Sequence, residues 1–347
     1  MWNFEDLLEV GRDVLVIVVA GAAVATGASF SAKADELKQG AFLIDRVAYG
    51  DHVLRTGLYL EQGPMKGCVL YLEGLGDSIQ NHEPLFNALA NAGYRTITFD
   101  YYGQGGWPRK DEGSSGTMSE TRLEDAKHPQ AEIGSQAKFI WNHFSQSSAD
   151  PVRGLSCASS KKFVIGWSTG GLAAYILASQ KWPNAVALLA PGLKPKTWVG
   201  ESQKKWPKML TPAGGDSEGK SEFKIDFFPV ISMRSLTRAK FEESNDPHVD
   251  MIHPTNPLNA FSFAINLYWK SKKYSGVRID PSVRGLALLS GDEDSYVDRA
   301  ATVSALKANT QFAIKSYPGA LHELDNEIEP VAADVRSSVI EFFNSAR

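Results

Sequence analysis

The sequence has little cysteine, two residues in 347, too few for a disulfide framework and in no spacing with histidine that would hold zinc. Two free thiols are the expected state. Cys68 begins one apolar run and Cys157 shortly precedes another, so neighbouring strands would allow one bridge if the Cα atoms came within about 7 Å. Clusters of Lys or Arg are also missing. With a formal net charge of -4 and a pI near 6.0, the chain offers no phosphate-binding face, which argues against nucleic acid and for small or neutral partners. Internal repeats and low-complexity tracts are absent too. A composition of 43% hydrophobic, 10% aromatic and 22% charged residues is that of a folded chain able to bury a core.

One long uncharged run exists, from Val14 to Phe30, bounded by Asp13 and Lys33. Its length lies between the apolar region of a signal peptide and a comfortable membrane span, and the flank at Glu5, Asp6, Glu9, Arg12 and Asp13 is acidic where a signal peptide is basic. The expectation is a signal or anchor over residues 1–38, giving an exported or membrane-associated protein. A buried core element in a cytoplasmic protein is the alternative.

From Phe42 onward, short apolar runs alternate with longer helical patterns, as a mainly parallel α/β sheet covered by helices requires. A hairpin over Val47 to Leu60 opens the series, and Gly67 to Leu72 reads as a strand buried on both faces. Helix Glu83 to Ala92 and strand Tyr94 to Phe99 follow, then a polar loop from Tyr101 to about Gln130 and helix Ile133 to Phe144. Strand Phe163 to Ile165, a helix from Thr169 to about Ser179 and strand Ala185 to Ala190 complete a first core part over residues 39–192. The alternation then stops. Residues 193–284 carry many aromatics and one clear amphipathic helix from Leu258 to about Lys270, which reads as an inserted, mainly helical cap. A second core part, residues 285–347, has strands at Leu286 to Leu289 and Phe312 to Tyr317, and helices at Ala300 to Ala308 and Val331 to Phe343.

Gly166-Trp167-Ser168-Thr169-Gly170 lies between a buried strand and a helix. A sharp strand-to-helix turn there would expose a strained serine hydroxyl, and the two glycines remove Cβ atoms that would collide. A hydroxyl needs a base to become a nucleophile. Of the seven histidines, His322 alone follows the last strand at the carboxyl edge of the sheet. His52, His82, His128, His143, His248 and His253 are expected to be solvated or packed. An acid is then needed from another strand end to orient the imidazole. Asp294 fits, with Asp292 and Asp298 as close competitors by charge alone. The amides of Leu75, where the first strand of the series turns, and of Thr169 are the expected oxyanion donors.

At these positions the chain resembles the α/β-hydrolase superfamily, within it the branch of monoacylglycerol lipases, lysophospholipases and serine-aminopeptidase-like proteins. The likeness covers most of Phe42 to Arg347. It is carried by the turn after the first central strand, by Tyr94 to Gly105 with Asp100, Gly103 and Gly105, by the turn about Ser168, by Gly291 with Asp294, and by Gly319-Ala320-Leu321-His322-Glu323-Leu324-Asp325-Asn326-Glu327. The chain order Ser, Asp, His is that superfamily's order. The resemblance implies an α/β-hydrolase fold, a triad of Ser168, Asp294 and His322, a cap over the site, and hydrolysis of a small-molecule or lipid ester without metal or organic cofactor. An aminopeptidase or amidase on the same triad, or a silent binding protein, are the competing readings. One position departs from the pattern: Glu73 precedes Gly74 where many relatives carry histidine, and a carboxylate there would oppose a developing oxyanion unless paired or turned away.

Overall fold

The computed structural model describes residues 42–104, 120–146, 157–196 and 257–347. The apolar run at Val14 to Phe30 and most of the expected cap lie outside these residues. Among the described residues no helix is long and apolar enough to cross a membrane.

Eight strands form one sheet: β1 (Phe42–Tyr49), β2 (His52–Tyr59), β3 (Gly67–Leu72), β4 (Tyr94–Phe99), β5 (Lys162–Trp167), β6 (Ala185–Leu189), β7 (Arg284–Leu289) and β8 (Ala313–Ser316). Their order is β1-β2-β4-β3-β5-β6-β7-β8. The hairpin β1-β2 and the pair β2-β4 are antiparallel, and every later pair is parallel, as the continuous apolar runs require. Period-2 side-chain direction divides these strands between two cores. In β3, Cys68, Leu70 and Leu72 enter one and Val69 and Tyr71 the other; in β5, Val164 enters the first and Phe163, Ile165 and Trp167 the second.

Among the described residues six helices cover the faces: α1 (Glu83–Asn91), α2 (Ile133–Gln146), α3 (Thr169–Ser179), α4 (Pro257–Tyr274), α5 (Arg299–Asn309) and α6 (Val331–Ala346). Ile133, Ile140, Leu172, Ile176, Phe263 and Leu306 place α2 to α5 on the first core. Leu85, Leu89, Val335, Val339 and Phe343 place α1 and α6 on the second. Phe343 stacks on Phe163 of β5 with ring centroids 4.8 Å apart, a burial that contributes about 2–3 kcal/mol. α3 has no polar face: Thr169 through Ala178 are all buried, so the helix after Ser168 is held rigidly under the site. The elements match the sequence expectation in kind and order, with β1 starting at Phe42, ahead of the hairpin expected from Val47, and α4 running on to Tyr274, past its expected end at about Lys270.

The cysteines correct an expectation. Cys68 and Cys157 are not free thiols but a disulfide, with Cα atoms 5.7 Å apart. Cys68 lies on β3 and Cys157 in the short turn entering β5, the strand that pairs with β3. The bridge ties residues 89 apart in sequence, so it removes considerable freedom from the unfolded chain. Reduction, or Cys68→Ser with Cys157→Ser, is expected to cost about 2–4 kcal/mol. Urea unfolding with and without dithiothreitol measures it, and coincident curves would contradict it.

Candidate active site

The carboxyl ends of β3, β5, β7 and β8 open on one edge of the sheet, and the sequence-predicted residues gather there. Ser168 follows β5 directly. Its backbone sits at φ 52°, ψ -113°, a conformation that non-glycine residues hold only where surroundings impose it. Here they do: its amide donates to the Leu189 carbonyl at 2.9 Å, and its carbonyl accepts from Gly192 at 2.7 Å and Leu172 at 3.1 Å. Gly166 and Gly170 are required by the turn. A Cβ on Gly166 would overlap the Gly170 carbonyl, and one on Gly170 would overlap the carbonyl oxygens of Leu72 and Glu73. The serine itself is half-buried, so its hydroxyl stays accessible.

His322 comes from the loop after β8. Its Nε2 is 2.7 Å from Ser168 Oγ and its Nδ1 is 2.8 Å from Asp294 Oδ2. Its ring is packed between Tyr296 and Trp167, with centroids 4.9 and 5.5 Å away, and the Trp167 indole donates to the His322 carbonyl at 3.0 Å. Asp294, fully buried after β7, accepts at Oδ1 from the amides of Tyr296 at 2.7 Å and Val297 at 3.1 Å, and at Oδ2 from Ser290 as well as His322. Burial alone would push its carboxyl up, but attraction to His322 and these hydrogen bonds outweigh that and hold it below its ordinary value. It stays an anion facing Nδ1.

The competing carboxylates do other work. Asp292 is exposed and bonds Arg299 at 2.9 and 2.7 Å, while Asp298 caps α5 by accepting from the Ala301 amide at 2.9 Å. Lys196, just after β6, donates its Nζ to the carbonyls of both Asp292 and Asp294 at 2.6 Å, fixing the acid turn from outside. Sequence reasoning did not single it out.

Leu75 and Thr169 stand on the two turns that meet at Ser168. Neither amide has an acceptor among the described residues, which leaves both donors available. Glu73 is not a threat to an anion there. It is fully buried, its Oε1 accepts from the Tyr101 amide at 3.1 Å and from Gln104 Nε2 at 2.7 Å, and Gln104 Oε1 in turn accepts from the Gly76 amide at 2.7 Å. Burial, with the nearby charges of Asp100 and Asp77, raises its carboxyl well above the usual range, which favours the uncharged acid. Asp100, the acidic member of the second motif, holds the same turn: it accepts from Arg55 at 2.8 Å and from the Ile79 amide at 2.9 Å.

The other histidines divide. His52 bonds the Tyr102 hydroxyl at 2.8 Å, and His143 packs among Phe139 and Phe144. His248 and His253 lie outside the described residues. His82, expected to be ordinary, is instead a fully buried member of a charged cluster. No group of side chains among the described residues has the arrangement of a metal site.

A mainly parallel eight-stranded sheet with an antiparallel leading edge, and a strained serine between β5 and its helix, define an α/β hydrolase. Within that class the chain belongs to the serine aminopeptidase S33 family, whose sequence pattern matches residues 63–329. No curated protein sequence matches it. Among solved structures it is similar to a soluble variant of monoglyceride lipase from Saccharomyces cerevisiae in complex with a substrate analog: 15% identity, TM-score 0.62, covering 89% of this chain and 98% of that one. A monoacylglycerol lipase from Paleococcus ferrophilus shares 18% identity at a TM-score of 0.57, covering 85% of this chain and 99% of its own. A thermostable carboxyl esterase from Bacillus coagulans in complex with glycerol shares 14% at 0.56, covering 88% and 99%.

Proposed function

We propose that the protein is a serine carboxylester hydrolase working through an acyl-enzyme. The reading rests on one observation, the continuous hydrogen-bonded chain from Ser168 Oγ through His322 to Asp294. As Ser168 Oγ bonds to the ester carbonyl carbon, its proton passes to His322 Nε2. The carbonyl oxygen becomes an anion facing the amides of Leu75 and Thr169. Collapse breaks the bond to the alcohol oxygen, which takes the proton from His322, and water repeats the sequence to release the acid. Asp294 keeps the imidazole in the tautomer whose Nε2 accepts.

The substrate is a lipid-like monoester such as a monoacylglycerol or a lysophospholipid. The monoglyceride and monoacylglycerol lipases among similar structures support this, as do the aromatic residues of 193–284. The family's aminopeptidase description favours one competitor, amide hydrolysis on the same triad. The site works outside the reducing cytoplasm, at or beyond a membrane. Support comes from the Cys68–Cys157 bridge and the apolar run at Val14 to Phe30.

The test pairs active-site labelling with substrate choice. A fluorophosphonate probe is expected to modify Ser168, located by peptide mass spectrometry, and a monoacylglycerol to be hydrolysed faster than short p-nitrophenyl esters or an aminoacyl amide. Labelling elsewhere would remove Ser168 from its role, and preference for the amide would replace the ester by a peptide-like substrate.

A further inference from the structure

His82 stands at the start of α1, between the turn that carries Leu75 and the rest of the chain. Its imidazole is wholly buried, with Nε2 2.6 Å from Asp77 Oδ2 and Nδ1 2.6 Å from Asp325 Oδ2. Ionised carboxylates only accept, so two such partners require both ring nitrogens to donate, making the ring an imidazolium. Burial alone would push His82 down; the two carboxylates reverse that and carry it well above its ordinary value. The other titratable groups facing it are Glu323, through its charge interaction, and Tyr71, whose ring centroid is 4.7 Å away.

The partners come from the two loops that matter. Asp77 lies two residues after Leu75 and Asp325 three after His322, and the His82–Asp325 contact joins segments 243 residues apart. A second tie runs parallel, from Asn326 Nδ2 to the Asn81 carbonyl at 2.7 Å. Trp167, immediately before Ser168, lies beside both histidines, its ring 5.3 Å from His82 and 5.5 Å from His322. Gly74 leaves room for that indole, because a Cβ there would overlap it.

We infer that His82 is a positioning residue for acyl transfer, an ionic latch whose grip on Asp77 and Asp325 sets the Leu75 amide and the His322 imidazole at the separation the reaction needs. The inference rests on the hydrolase reading above. Breaking the latch would loosen two loops whose contacts count in the transition state, and misplacement of about 1 Å costs up to roughly 100-fold. Substrate binding by other parts of the site would be spared.

The experiment measures kcat and KM on one ester, below every variant's melting temperature, for the wild type, Ser168→Ala, His82→Gln, Asp77→Asn, Asp325→Asn and the Asp77→Asn/Asp325→Asn pair. His82→Gln is expected to lose roughly 10- to 100-fold in kcat with KM within about twofold. The Asp pair should lose no more than its worse single member, since both act through one ring. Full kcat in folded His82→Gln, or additive losses in the pair, would overturn the latch. If His82→Gln does not fold, Asp325→Asn, which keeps size and an oxygen facing Nδ1, serves the same comparison. Ring-nitrogen NMR of wild-type protein labelled at histidine adds an independent reading: one ring should stay doubly protonated well above the pH at which an ordinary histidine loses its proton. Finding every ring singly protonated at neutral pH would also overturn it. Ser168→Ala separates the two failures. If it retains the wild-type rate, the hydrolase reading is wrong and the latch falls with it; if it is inactive while His82→Gln and Asp325→Asn turn over normally, the latch alone is wrong.

Discussion

Ser168→Ala is expected to lower ester hydrolysis by about 10,000-fold to a million-fold while leaving the fold intact. In the proposed reaction the hydroxyl forms the covalent bond, and its removal would leave only the oxyanion donors and binding to assist water. The alanine fits without strain beyond that already imposed, because φ 52° is held by backbone bonds to Leu189, Gly192 and Leu172. Asp294→Asn should lose about 10,000-fold for a different reason. An amide facing His322 Nδ1 can donate to it, which favours the tautomer with its proton on Nε2 and leaves nothing to accept from Ser168. Asp292→Asn is the control. Its carboxylate faces Arg299 in solvent, where water and salt screen the pair, so the rate should not change. Steady-state rates on one ester, with circular dichroism of each variant, decide the matter. An active Ser168→Ala, or an inactive Asp292→Asn beside an active Asp294→Asn, would reassign the site.

The sequence made Ser168 legible because three independent signals meet there: a buried strand, two glycines and a helix with no polar face. His322 was legible from its place after the last strand. Asp294 was the chosen acid but stood only narrowly ahead of Asp292 and Asp298, since all three share charge and neighbourhood. What divides them is direction: one carboxylate turns inward onto two amides and His322, one outward to Arg299, one along the chain to cap α5. Spacing does not encode that. Pairing of Cys68 with Cys157 could be named as an alternative but not preferred to free thiols, because it depends on the approach of a turn to a strand rather than on either cysteine's own surroundings. His82 looked like any histidine before a helix, and its two carboxylates become visible only when β3 and β8 bring their loops together. Glu73 looked like a charge opposed to catalysis. Burial raises its carboxyl well above the usual range and favours the neutral acid, a shift that residue type alone does not reveal.

Folding stability should be greatest in mildly acidic solution and fall by roughly 2–3 kcal/mol between about pH 6 and pH 8. Glu323 carries the clearest part. Burial, only partly offset by attraction to His82, pushes its carboxyl up to about 8. The unfolded chain releases that proton near its ordinary value of about 4.3, so between there and pH 8 the folded state binds more protons and stability falls as pH rises. Glu73 acts in the same direction, raised by burial and by Asp100 and Asp77. His82 does so as well, though it is a cation. Its latch contributes fully while the unfolded histidine is also protonated, below about pH 6.5, and the contribution is lost as pH rises towards the folded value. Asp294 opposes them only on the acid side: its lowered carboxyl contributes above its ordinary value and loses that contribution as pH falls through the folded one. Calorimetric melts from pH 5 to 10 at constant ionic strength give the profile, and a flat or rising one would mean that Glu73 and Glu323 are ionised in the folded protein. Glu73→Gln isolates one contributor. Glutamine copies the neutral acid, keeping an oxygen for the Tyr101 amide and Gln104, so this variant should melt with a shallower alkaline slope and remain active. An ionised Glu73 would give the opposite result, a variant that loses its ionic contacts and is less stable at every pH above 6. Retained activity with a flattened profile would tie the unusual residue of the oxyanion turn to one chemical state, a carboxylic acid that keeps its proton while negative charge develops beside it.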